Sequence, residues 1–264
     1  MRLPGRGEKM TNKEILQIAM QQSAWNLGAE PDDFEKSEHA FVDFNLSLNA
    51  CKYLQLPINA NLISYGNNIV AGTSPENCEI IKEYVGKFEW YHCFEAPNMH
   101  WLSERLLPLG QKICFMAEYF LPDVNKLKRL ECGYKLRVLG KEDFASLYLP
   151  EWSNALCEKR KELDCLGVGA YDNGKLIGFA ACSADAQNMW QIGVDVLPEY
   201  RRQGIAASIT SNLAVEILER EKVPFYCCAW SNIRSARNAI KAGFVPSWVE
   251  MTIKPAGVVD EMNK

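Results

Sequence analysis

The sequence predicts an α/β protein built in two parts, and three observations carry this. Strand-like alternation and helix-like spacing of apolar residues take turns along the chain. Its 264 residues suffice for one large domain or two ordinary ones, with 48% hydrophobic content to fill a core. The stretch over 124–135, "VNKLKRLECGYK", is charged and poor in large apolar groups, which marks a boundary. The opening "MRLPGRGEKM", basic with Gly and Pro, reads as a disordered leader over 1–10, or as sequence upstream of a start at Met10. The expected division is that leader, an N-terminal α/β domain over 11–125 and a C-terminal domain over 130–264.

Residues 12–27 space their apolar side chains as a helix does. "ANLISYGNNIVAGT" (60–73) reads as two short strands around Gly66-Asn67-Asn68. Ser74 as N-cap and Pro75 in the first turn start a helix. "FEWYHCF" (88–94) is expected as a strand, 97–110 as a helix and 111–122 as a strand. Segment 91–110 also echoes 225–243 in element order. A worn internal duplication would produce that, and so would any two strand–helix units.

In the second half, 134–140 is a strand and 141–163 is one broken or two short helices. Residues 165–184 form a hairpin turned at Asp172-Asn173-Gly174. The strand "NMWQIGVDVLP" (188–198) points Trp190, Ile192, Val194 and Val196 one way and Gln191, Gly193 and Asp195 the other. The helix over 203–222 carries Ile205, Ile209, Leu213 and Ile217 on one stripe. A buried strand (224–230), a helix closed by Gly243 as a left-handed cap and a last strand (244–254) follow.

A formal net charge of −4 gives no whole-protein attraction to nucleic acid or an anionic membrane. No apolar run reaches the roughly 18 residues of a membrane helix, and no secretory h-region opens the chain. The 10 cysteines include no C-x-x-C pair and no zinc-like spacing with histidine. Several, such as Cys182, Cys227 and Cys228, lie in apolar runs. They read as reduced, buried thiols, which points to the cytoplasm.

"VLPEYRRQGIA" (196–206) concentrates positive charge in this mildly acidic chain. A strand ends at Pro198, Arg201 and Arg202 follow, and Gly204 with Ala206 and Ala207 opens a helix. A helix N-terminus has N–H groups without intrahelical partners, and its dipole adds partial positive charge. Small first-turn residues let a phosphate approach both. Neither a dinucleotide G-x-G-x-x-G nor a Walker G-x-x-x-x-G-K-[ST] occurs.

With Val196, Pro198, Tyr200, Arg201, Gly204 and Ala206 in this order, and "SNIRSARNAIKAGF" supplying Asn232, Ser235, Gly243 and Phe244, residues 134–254 resemble the GNAT superfamily of acyl-CoA-dependent N-acyltransferases. The 172–180 hairpin also fits it. The resemblance implies a mixed, mostly antiparallel sheet flanked by helices over 130–264, with the N-terminal α/β domain a degenerate copy or a cover for the acceptor site. It implies that a CoA pyrophosphate rests on backbone N–H groups of Gln203, Gly204, Ile205, Ala206 and Ala207, with Arg201 and Arg202 at its edge. The strand ending at Val196 would splay from the next one near 226–229. Backbone N–H near Val194 would polarise the thioester carbonyl, and Asn232 would bond the pantetheine arm. No metal is required.

The resemblance also implies N-acetyl transfer from acetyl-CoA to an amine acceptor by direct attack, with no nucleic acid or membrane partner and a homodimer open. Many members carry a tyrosine acid where this chain has Ala239, which leaves Ser235 as its substitute. Many carry a glutamate base near Gln191, which cannot take a proton. Asp195 is the one carboxylate on that strand, as base or as partner of Arg201 or Arg202; Asp185 lies in the loop before it. His39, His92 and His100 are further candidate bases, and Trp190 and Trp230 are candidates for an acceptor pocket or for packing. The alternative function is a non-catalytic acyl-CoA-binding or sensing protein, or a protein-interaction module.

Overall fold

The computed structural model describes residues 10–52 and 57–264. The leader expected over 1–10 lies outside the described residues except Met10, which is buried. The described residues form two compact units, one made of those within 10–19 and 119–246, the other of those within 20–118 and 247–264. The boundary expected at 125–130 therefore does not separate them. Helix α1 (Asn12–Leu27) and strands β4 (Gln111–Pro122) and β10 (Phe244–Pro255) each contribute residues to both. Apolar periodicity runs unbroken through all three, so nothing local in the sequence signals the crossing.

In the unit holding 20–118, the strands are β1 (Ala40–Asp43), β2 (Ala60–Ser64) and β3 (Val70–Thr73), with parts of β4 and β10. β2 and β3 form the expected antiparallel pair, β1 joins β3 in parallel, and β10 pairs β2 antiparallel. Helices α2 (Cys78–Lys87) and α3 (Ala96–Leu106) bury Ile81, Tyr84, Leu102 and Leu106 in a core with Leu62, Ile69 and Met251. A short helix α6 (Ala256–Met262) closes the chain.

Two expectations fail here. Helix α2 starts at Cys78 with Asn77 at its cap, not at Ser74. Segment 88–94 is a single 3-10 turn, Trp90–His92, rather than a strand. Its alternating rings pack on helices instead of a sheet: Phe88 stands edge-on to Tyr84 at 5.6 Å and to Trp101 at 6.4 Å. Tyr84 donates its hydroxyl to the Cys93 carbonyl, taking an acceptor that a ladder would use. The strand–helix echo of 225–243 is thus not reproduced there.

In the other unit, β5 (Lys135–Gly140), β6 (Asp164–Asp172), β7 (Lys175–Ser183) and β8 (Met189–Val196) pair antiparallel in sequence order. β9 (Val223–Cys228) joins β8 in parallel. This is the mixed, mostly antiparallel sheet expected, with helices α4 (Ile205–Leu218) and α5 (Ile233–Ala242) beside it. Asn173 and Gly174 turn the β6–β7 hairpin at φ 47° and 87°. Ile205, Ile209, Leu213 and Ile217 sink fully into the core with Ile192, Tyr226 and Phe244.

Residues 141–163 form 3-10 turns, Lys141–Ser146, Pro150–Trp152 and Glu158–Arg160, where helices were expected. Pro150 holds Leu149 extended at φ −123°, ψ 155°. Carboxylates from the sheet then take N–H groups that a helix would need: Asp195 those of Asn154 and Ala155, Asp164 that of Cys157. Trp152, Ala155 and Leu156 pack on Phe179 and Ala181.

Candidate functional site

β8 runs alongside β7 to its last residue, pairing Val196 with Gly178. Its pairing with β9 ends at Ile192–Tyr226. From Gly193 to Val196 the strands have parted, and backbone groups of β8 on that side no longer meet a ladder. This is the splay expected around Val194 and Val196.

Beyond β8 the chain makes a 3-10 turn, Pro198–Tyr200, and reaches α4 through two left-handed residues, Arg202 at φ 66° and Gly204 at φ 82°. Gly204 is the N-cap of α4 and no side chain caps the helix. The N–H groups of Ile205, Ala206 and Ala207 thus begin the helix without intrahelical acceptors. A Cβ on Gly204 would meet nothing closer than Lys241 Nζ at 3.8 Å, so the glycine is required by its backbone angle and leaves the space before the helix open. That geometry fits an anion such as a pyrophosphate.

The polar neighbours refine the expected roles. Arg201 Nε donates to the Val196 carbonyl at 3.0 Å, tying the turn to the open strand end. Gln203 Oε1 accepts from Tyr134 at 2.8 Å. Lys241, in the last turn of α5, is a cation by the cradle that the sequence reading missed. Its signal was its spacing from Asn232, one helix length on.

Asn232 caps α5, its Oδ1 accepting from Ser235 N at 3.2 Å. Its amide N–H₂ group is left as donor for another partner. Ser235 Oγ lies 2.7 Å from Tyr226 Oη, and burial holds that phenol above its ordinary pKa. Tyr226 is also absent from the sequence-derived site. It sits on β9 at the last rung before the splay, within the core shared with Phe120 and Phe244.

Asp195 lies elsewhere. Its Oδ2 accepts from Asn154 N at 2.9 Å and Ala155 N at 3.0 Å, and its Oδ1 from Asn154 Nδ2 at 2.6 Å. It does not pair with Arg201 or Arg202, one of the two roles expected for it. Gly193, on the same face, approaches Asn154 so closely that a Cβ would stand 1.8 Å from that carbonyl oxygen. Asp195 thus anchors 150–156 across one face of β8, while Tyr226 belongs to the core on the other face, and no contact joins Asp195 to Ser235. Asp185 is fully buried against Arg160 at 2.8 Å. Gln191 donates to Cys227 Sγ at 3.1 Å. Trp190 packs on the core, whereas Trp230 is 41% exposed. His39, His92 and His100 all belong to the other unit. Among the described residues no cluster of His, Cys, Asp or Glu is placed to hold a metal ion, and no helix is long and apolar enough to cross a membrane.

The family model for GNAT acetyltransferase matches residues 112–248, a little over half of the 264. The chain belongs to the GNAT acetyltransferase family. The match encloses the β8–β9 splay, the Gly204 turn and the Asn232 cap of this chain. Solved structures of similar fold include a GNAT-family protein of Novosphingobium aromaticivorans, with 20% identity and a TM-score of 0.41 over 55% of this chain and 66% of that one. The chain thus spans just under two thirds of that relative. A GCN5-related N-acetyltransferase-like protein of Streptococcus suis gives 16% and 0.46 over 74% and 83%. A Salmonella typhimurium protein solved with its cofactor acetyl-CoA gives 16% and 0.34 over 47% and 95%. No curated protein matches in a sequence search.

Proposed function

We propose that this GNAT protein transfers an acetyl group from acetyl-CoA to an amine acceptor. The observation carrying the proposal is the uncapped start of α4 behind left-handed Gly204, set at the end of a strand that has parted from its neighbour. Acetyl-CoA would supply a thioester-activated acetyl group. The N–H groups of Ile205, Ala206 and Ala207 would hold its pyrophosphate, with Gln203, Arg202 and Lys241 at the rim and Arg201 holding the turn in shape. The open edge at Val194 and Val196 offers a backbone donor for a carbonyl oxygen, an oxyanion-type contribution. The Asn232 amide offers donors to a pantetheine arm.

Ser235, hydrogen-bonded to Tyr226, supplies the proton that a departing thiolate takes up. The hydroxyl pair stands on α5 and β9 beside the splay, so it substitutes for the tyrosine missing at Ala239. Ser235→Ala is expected to lower kcat by about 10-fold or more while leaving acetyl-CoA affinity within about threefold. Equal turnover would remove Ser235 from the mechanism. Asp195, with both oxygens engaged, is proposed to position the 150–156 segment rather than to take a proton.

Ala239 and the engaged Asp195 favour a second reading, a non-catalytic acetyl-CoA binder. Acetyl transfer across an amine library, followed by free-thiol release, separates the two. Acetyl-CoA binding without thiol release on any amine would support the second reading. Absence of both acetyl-CoA binding and thermal protection would end both.

A further inference from the structure

Strands β6 and β7 hold a second reactive feature, which stands apart from the acetyl-transfer reading. Their register shifts between Asp164–Ser183 and Leu166–Cys182, so Cys165 is an extra, bulged residue. The bulge turns its sulfur towards Cys182: the two Sγ atoms are 3.7 Å apart and Cys165 Sγ lies 3.6 Å from the Cys182 carbonyl. Cys182 is fully buried, while Cys165 is partly exposed. The hydrogen bond from Cys182 draws the Cys165 thiol below its ordinary pKa, with Lys141 adding to this and burial, Asp164 and Asp185 opposing it. Burial pushes the Cys182 thiol well up. One sulfur is thus the readier nucleophile and the other its covered neighbour.

We propose that Cys165 and Cys182 form a peroxide-reactive pair, with Cys165 attacking and Cys182 resolving. The Cys165 thiolate attacks one oxygen of a hydroperoxide such as hydrogen peroxide. The O–O bond breaks, hydroxide leaves and takes a proton from solvent to become water, and Cys165 becomes a sulfenic acid. The Cys182 sulfur then attacks Cys165, the S–O bond breaks, and a second water leaves with the Cys182 proton. Two thiols have been oxidised and the peroxide has been reduced to two waters. Closing the pair requires the sulfurs to move together by about 1.7 Å, to the ~2.05 Å of a disulfide. The bulged residue can move most cheaply, since it has no ladder partner to lose.

A competing thiol is nearby. The backbone N–H of Cys157 donates at 3.1 Å to Oδ2 of Asp164, which is next to Cys165 in the chain. The test is hydrogen peroxide treatment of the full chain, then alkylation, non-reducing digestion and mass spectrometry. The expected product is a Cys165–Cys182 linked peptide lighter by two hydrogens and cleaved by dithiothreitol. In Cys182→Ala, which keeps the site apolar, dimedone is expected to label Cys165. In Cys165→Ser, Cys182 is expected to stay alkylatable. The proposal is overturned if wild-type Cys165 and Cys182 both stay alkylatable while other cysteines oxidise, if the link runs from Cys157, or if dimedone labels Cys182 instead. The wild-type readout stands even where a variant folds poorly.

Discussion

Gly204 and Glu250 show how single residues decide local chemistry. At φ 82° an L-residue in place of Gly204 costs about 1–2 kcal/mol in backbone strain, and relief of that strain would reshape the turn. Glu250, in the other unit, accepts Trp248 Nε1 at 2.8 Å, yet burial still raises its carboxyl above the ordinary 4.5. A carboxyl raised in the folded state gives its full share of stability at and below its ordinary value and loses it as pH climbs through the raised one. Glu250→Gln keeps an acceptor for Trp248 and cannot ionise. The difference in Tm, variant minus wild type, is therefore expected to widen as pH rises from 4.5 towards neutrality. A pH-independent difference would contradict the assignment. The polar cues at these two residues were unequal in the sequence. Gly204 announced itself between arginines and alanines; Glu250 looked like one more polar residue on an alternating strand.

At the scale of elements, the 150–156 segment depends on β8. Asp195 receives three donors from it, and Gly193 leaves room for its backbone. Asp195→Ala is expected to cost about 2 kcal/mol, because it leaves those donors without their charged acceptor. Chemical denaturation measures that cost. Unchanged stability with lost turnover would restore the carboxylate to catalysis. Asn232→Ala removes the cap of α5 and is expected to cost about 1 kcal/mol, together with weaker acetyl-CoA binding. Stability falling with unchanged affinity would make Asn232 a cap alone. Elements with one dominant cue were legible from the residues: the Asn173-Gly174 turn, the Ile205–Ile217 stripe and the Gly243 cap. Segments 88–94 and 141–163 were not. Their outcome was decided by rings on the flanking helices and by carboxylates of β6 and β8, which no local period records.

At the scale of the whole molecule, a net charge of −4 leaves the proposed anion site to local geometry. The donor side of that site was readable because backbone chemistry imposes small residues at fixed spacing. The hydroxyl pair Tyr226–Ser235 and the cation Lys241 were not, because strand and helix bring them together only in the fold. The division into units was hidden for the same reason: β4 and β10 read as ordinary strands throughout. The central claim is that the turn's backbone, more than its arginines, would hold the anion of acetyl-CoA. Calorimetric titration of acetyl-CoA into wild type, Gly204→Val and Arg202→Ala tests it. The account predicts that Gly204→Val weakens binding by about 10-fold or more and Arg202→Ala by no more than about threefold. The reverse order would contradict it.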